Sequence, residues 1–297
     1  MWKHVPRPTD ARVLPLKWVW KYKFSEDGKL EKYKARICVQ GDLQVVWNDT
    51  YTTTLSSRVI RTLLALACAY WYRINQRDIV NTFLYSKIDQ VVYVEFPLGM
   101  EEPGYCLPVK WALYSLKQSP NLWPKEFSSS LLKLGLKQYT TERCLHYNKY
   151  LIVFFFVDGV ITLYKDKDSE KFEELWRKLS AIYENQDMGE AKHFLGMRIL
   201  QDGDHNILYL CQDAYIEKIA MRFHLETDKA PATPFPAGVK LVKYKGWASK
   251  EHTHMFQQKV GSLLYATIIT RADASLAATK LSAFMTNLSP EHMRLVD

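Results

Sequence analysis

Leu151-Ile152-Val153-Phe154-Phe155-Phe156-Val157-Asp158-Gly159-Val160-Ile161-Thr162-Leu163-Tyr164 is the stretch on which the fold turns. Two apolar runs of strand composition flank Asp158-Gly159, and an Asp-Gly pair between such runs is the strongest short-range hairpin signal. A carboxylate is therefore displayed where two hydrophobic strands reverse. Alone, an Asp-Gly pair is most often a turn and nothing more. Eighty residues upstream, however, Gln76-Arg77-Asp78-Ile79-Val80-Asn81-Thr82-Phe83 offers a second carboxylate in an extended, partly apolar segment. Two carboxylates on neighbouring strands can hold divalent cations for phosphoryl transfer.

Residues 17–36 alternate with a period of two. Trp18, Trp20, Tyr22 and Phe24 fall on one side, Lys17, Lys21 and Lys23 on the other, and Asp27-Gly28 supplies a turn. This segment carries seven Lys/Arg against three acids, half of the net charge of +8 of the whole chain. Such a concentration suits phosphate contacts better than plain solvation does. Ile60, Leu63, Leu64, Ala67 and Tyr70 follow the helical period behind Ser56 or Ser57 as cap, and Val91–Val94 reads as a strand. A helix is expected after Pro124, with the proline in its first turn. Phe172, Leu175, Trp176, Leu179, Ile182 and Tyr183 form one face of a core helix capped by Asp168 or Ser169. Phe194–Ile199 and Ile207–Leu210 read as a second, smaller hairpin. Lys229–Ser249, with Pro231, Pro234 and Pro236, reads as a linker, and helical patterning resumes over Gly261–Phe284. Strands, a helix, a long insertion, a hairpin and another helix define an α+β fold, an antiparallel sheet backed by helices.

At 297 residues the chain is near the limit for one core, so two or three lobes are expected. The pI near 9.0 favours a polyanionic partner. Five widely spaced cysteines, an odd number, argue against a disulfide framework or a zinc knuckle and fit a reduced, intracellular protein. The longest apolar run is too short to span a bilayer, and no leader opens the chain, so no membrane partner is expected. His252-Thr253-His254 reads as a solvated loop, because nothing nearby completes a tetrahedral metal set.

Six blocks in order carry a resemblance. They are Lys17–Lys21 with Tyr33–Arg36, Asp78–Phe83, Leu113-Tyr114-Ser115-Leu116-Lys117-Gln118-Ser119-Pro120, Phe156–Gly159, Met188–Gly196 and Val260–Tyr265. Together the chain resembles the reverse transcriptase domain of copia-type LTR retrotransposon polyproteins. The resemblance implies a right-hand polymerase fold, with fingers over 13–56, a palm over 57–200 interrupted by further fingers structure, a thumb-like region and linker over 201–250, and the start of a connection-like helical segment over 251–297. It implies an RNA-directed DNA polymerase working on an RNA template, a DNA primer, their hybrid and deoxynucleoside triphosphates, with two Mg2+ ions. It makes Asp78 and Asp158 the catalytic metal ligands, and Phe83 the gate against a ribose 2′-hydroxyl. Lys34 and Arg36 would meet the triphosphate, Ser115, Lys117 and Gln118 would line the substrate site, and Phe194, Leu195 and Gly196 would support the primer end. A retrotransposon protein of this kind is expected in cytoplasmic particles or the nucleus, beside other polyprotein segments.

The pattern is broken at two places that bear on chemistry. The family turn is Tyr-X-Asp-Asp, and here Phe156 opens it and Gly159 replaces its second aspartate; Ser115 stands where the family has glycine. Gly159 is expected to ease the turn and weaken catalysis, since losing even a residue that only supports a metal ligand costs roughly 10–100-fold. The chain reads as a truncated or decayed polyprotein copy. Its alternatives are a non-catalytic nucleic-acid-binding remnant and a pseudogene product, and a two-carboxylate hydrolase is disfavoured because no motif places a histidine or nucleophile.

Overall fold

The computed structural model describes residues 3–24, 29–45, 55–203, 205–225 and 233–296. By its internal contacts the chain forms two compact units, one of Met1–Ser56 with Trp71–Glu190 and one of Ser57–Tyr70 with Ala191–Asp297.

In the first unit, β1 (Val5–Pro6) and β2 (Val13–Leu14) are short edge pieces, and β3 (Leu16–Phe24) pairs with β4 (Leu30–Val39) as an antiparallel hairpin. The expected Asp27-Gly28 turn lies outside the described residues. The base of this hairpin is anchored by Val39, packed in a cluster with Leu14, Val94, Leu107, Val109, Leu113 and Leu116. Further out Trp20, Tyr22 and Tyr33 are exposed.

Helix α1 (Ser57–Ala69) follows, then β5 (Arg73–Ile79), β6 (Lys87–Val94), β7 (Tyr105–Trp111) and α2 (Ser119–Lys133). Helix α2 starts earlier than expected. Pro120 occupies its first turn, where a missing N–H is harmless, and Pro124 lies inside it. Strands β8 (Lys137–Gln138), β9 (Leu145–Tyr147), β10 (Leu151–Phe156) and β11 (Gly159–Tyr164), helix α3 (Ser169–Ser180) and β12 (Asn185–Glu190) complete the unit. The central sheet is antiparallel throughout, in the order β12-β5-β11-β10-β9-β8. A second sheet runs β1-β7-β6-β2.

One face of the central sheet is covered by helices. Phe127 of α2 meets Phe155 edge-on with ring centres 4.9 Å apart, and the Trp176 indole of α3 donates to the Thr162 hydroxyl at 3.2 Å. The Arg77 guanidinium lies on that face too, 4.8 Å over the Trp176 ring. Side chains alternate along a strand, so Asp78 points to the opposite face.

The second unit contains α1, β13 (His193–Phe194), β14 (Met197–Asp202), β15 (Ile207–Cys211), α4 (Asp213–Phe223), α5 (Lys250–Ile269), α6 (Ser275–Ser282) and α7 (Pro290–Val296). Helix α1 joins this unit through Arg61, which donates to the Ile269 carbonyl, and through Cys68, whose Sγ donates to the Asn206 carbonyl. The contact boundary therefore cuts across the range 57–200. The proline-rich segment has no regular element where it is described, yet Leu241 and Ala248 pack against Phe256, Val260, Leu281 and Leu288. His252-Thr253-His254 is not a loop. Ser249 caps α5 by accepting from the His252 N–H at 3.1 Å, which puts all three residues inside the helix near its start. None of the five cysteines is in a disulfide, and no helix among the described residues is long and apolar enough to cross a membrane.

Candidate active site

Strands β5 and β11 are neighbours, and their register sets Asp78 opposite Gly159, with the Ile79 N–H donating to the Asp158 carbonyl at 2.9 Å. Asp158 is therefore one residue from the partner of Asp78. The two-residue loop is Val157-Asp158, because Phe156 pairs with Gly159. This corrects the expected Asp158-Gly159 turn. Gly159 is the first residue of β11 and extended, so it does not ease the turn. The left-handed position belongs instead to Val157, at φ 55°. A β-branched side chain is strained there, and the surroundings hold it: the Trp123 indole donates to the Val157 carbonyl at 2.5 Å. Trp123 is itself buried, stacked on Phe127 and edge-on to Tyr183.

The charges around the pair are coupled. Burial, then the nearby Asp158, holds the Asp78 carboxyl above the usual carboxylate range, while Lys34 and Arg36 oppose the shift. Burial and the Arg36 guanidinium lower the Lys34 ammonium, and Asp78 and Asp158 pull it back up. Two carboxylates and two cations thus share one site, and Asp78 is not fully compensated there. That is the electrostatic condition a bound cation relieves.

Phe83 is buried in a short 3-10 turn, Thr82–Tyr85, and its ring meets Tyr114 edge-on at 5.1 Å. The Arg36 guanidinium lies 5.2 Å over the Tyr114 ring, and the phenol, raised mainly by burial, also feels Asp158 and Asp78. Tyr114 thus joins Phe83 to the basic strand β4. Its place in the Leu113–Pro120 block was legible, its role was not.

The loop that follows is braced rather than open. Ser115 adopts φ 70°, and a Cβ on Gly41 would lie 1.8 Å from the Ser115 carbonyl oxygen, so only glycine fits at position 41. The Lys117 ammonium donates to the Gln44 carbonyl at 2.7 Å and the Asp42 carbonyl at 3.5 Å, and its N–H donates to the Gln44 side chain. The Gln118 side-chain nitrogen is buried without a hydrogen-bond partner. A left-handed serine is strained by about 1 kcal/mol. Ser115→Gly is therefore expected to raise the denaturation midpoint by an amount equivalent to about 1 kcal/mol; an unchanged midpoint in a urea titration would exclude strain at Ser115.

Phe194, Leu195 and Gly196 belong to the second unit. They form the β13–β14 turn, with Leu195 at φ 51° and Gly196 at φ 76°.

Residues 1–237 match the family described as reverse transcriptase (RNA-dependent DNA polymerase), and the chain belongs to that family. It is a reverse transcriptase domain of the retrotransposon Pol polyprotein kind. The retrovirus-related Pol polyprotein from transposon TNT 1-94 of Nicotiana tabacum is 31% identical over 314 residues, covering 99% of this chain and 23% of that protein. The corresponding polyprotein from transposon RE1 of Arabidopsis thaliana is 29% identical, covering 97% and 20%. The putative transposon Ty5-1 protein YCL074W of Saccharomyces cerevisiae is 28% identical, covering 70% and 68%. The chain spans about a fifth of the length of the two plant polyproteins. Among solved structures, the foamy viral protease-reverse transcriptase dRH in complex with double-stranded DNA superposes over 99% of this chain and 44% of its own, with TM-score 0.48 at 13% identity.

Proposed function

We propose that Asp78 and Asp158 hold a divalent cation of the magnesium class and support RNA-templated addition of deoxynucleotides to a DNA primer, at a rate limited by the absence of a third carboxylate. The observation that supports this is the register Asp78↔Gly159, which brings one carboxylate beside the residue next to the other. Hard carboxylate oxygens suit such an ion. Among the described residues no group of three or more His, Cys, Asp or Glu side chains comes together as a metal site. One cation position thus fits the donors, and a second is short of a ligand at Gly159. A bound ion of this class lowers the pKa of a 3′-hydroxyl and offsets charge on the reacting phosphate.

The remaining residues position substrates in this reading. Lys34 and Arg36 neutralise the triphosphate, and Phe83, backed by Tyr114, crowds a 2′-hydroxyl. Ser115 and Gln118 line the loop beside them, and Lys117 fixes that loop to Gln44. The β3–β4 hairpin serves as fingers, the central sheet as palm, and the Phe194-Leu195-Gly196 turn supports the primer end.

Single-nucleotide extension on an RNA template in Mg2+ tests the assignment. Slow incorporation by the native chain, faster incorporation by Gly159→Asp and none once Asp78→Asn is added are expected. Incorporation that survives Asp78→Asn would remove the carboxylates from the mechanism.

A further inference from the structure

A cavity of 440 Å³ opens on the outer side of α2, within the range of about 300–1,000 Å³ typical of ligand sites. It shares no residue with the Asp78–Asp158 site. Lys125, Lys133 and Arg143 line it together with Asn121, Ser129 and Gln138, and no acidic side chain does. Lys125 and Lys133 are eight residues apart on one helix, hence on one face. Arg143 is brought to them from the β8–β9 connection because its carbonyl accepts from Gln138 Nε2 at 2.8 Å and from the Ser128 hydroxyl at 3.4 Å.

None of the three cations makes an ion pair among the described residues. The nearest acids in sequence are engaged elsewhere: Glu142 accepts from the Ser56 hydroxyl, and Glu126 from the Tyr183 hydroxyl. Three like charges gathered around one concavity that no acidic side chain lines are complementary to an anion with several acceptor oxygens.

We propose that this cavity is a phosphate-binding site, distinct from the carboxylate pair, for the phosphates of a nucleotide or the phosphodiester backbone of a nucleic-acid strand. Acetylation footprinting of the full chain tests it, with inorganic pyrophosphate and a 12-nucleotide oligothymidylate as probes and exposed Lys243 as reference. Pyrophosphate slowing acetylation of Lys125 and Lys133 supports the site and identifies free phosphoanions as its source. Protection by oligothymidylate alone supports it with a backbone as the source. In that case Lys125→Ala/Lys133→Ala/Arg143→Ala should lower the salt slope of binding by about 2, at about 0.7 per phosphate contact on single strands. If neither probe slows Lys125 and Lys133 relative to Lys243, the site does not exist. Lys125, Lys133 and Arg143 are all exposed, so the triple variant is expected to keep the native near-ultraviolet circular dichroism.

Discussion

Gly159→Asp is expected to raise Mg2+-dependent primer extension by roughly 10–100-fold, the factor by which losing a partner of a metal site typically lowers affinity or activity. Position 159 is an extended strand residue opposite Asp78, so an aspartate meets no conformational penalty from the turn. Its carboxylate would adjoin a pair in which Asp78 is already held above the usual range by burial and by Asp158. Without a cation the third negative charge worsens that repulsion. The variant should therefore be less stable than the native chain in chelator and gain more from Mg2+. Equal extension rates for the two proteins would show that Gly159 does not limit the reaction.

His146→Leu is expected to abolish an acid-induced loss of stability worth about 3 kcal/mol. His146 is fully buried in β9, stacked near Phe155, and both ring nitrogens lack a hydrogen-bond partner. Burial drives its pKa down to about 4. Because the folded pKa lies below the unfolded one, near 6.5, the unfolded chain binds the extra proton. Stability is thus complete above about pH 6.5 and declines as pH falls toward 4, by at most about 1.4 kcal/mol per unit from this group. Leucine binds no proton and leaves no orphaned nitrogen. Urea midpoints followed from pH 7.5 to 4.5 should fall less steeply for the variant; parallel curves would mean that His146 is protonated alike in both states.

The β10–β11 hairpin was legible because both of its strands are apolar runs, and the α+β class follows from the order of the elements; β5 has only Ile74 and Ile79 as apolar residues. The loop register was not legible. Asp158-Gly159 has the better local turn chemistry, but the pairing of Gly159 with both Phe156 and Asp78 shifts the loop to Val157-Asp158, and the Trp123 bond stabilises it. β12 was missed because Asn185-Gln186-Asp187-Met188-Gly189-Glu190 is an edge strand with no apolar alternation. Gly41 and Tyr114 act through partners distant in sequence, Ser115 for one and Arg36 and Phe83 for the other, which no local pattern discloses. His252 was misread because the Ser249 cap precedes a helix whose apolar stripe begins only at Met255 and Phe256.

Titration with Mn2+ followed by electron paramagnetic resonance bears most directly on the shared carboxylate site. One bound ion per native chain, released by either Asp78→Asn or Asp158→Asn, is the predicted result. An ion retained with unchanged affinity in both variants would contradict it.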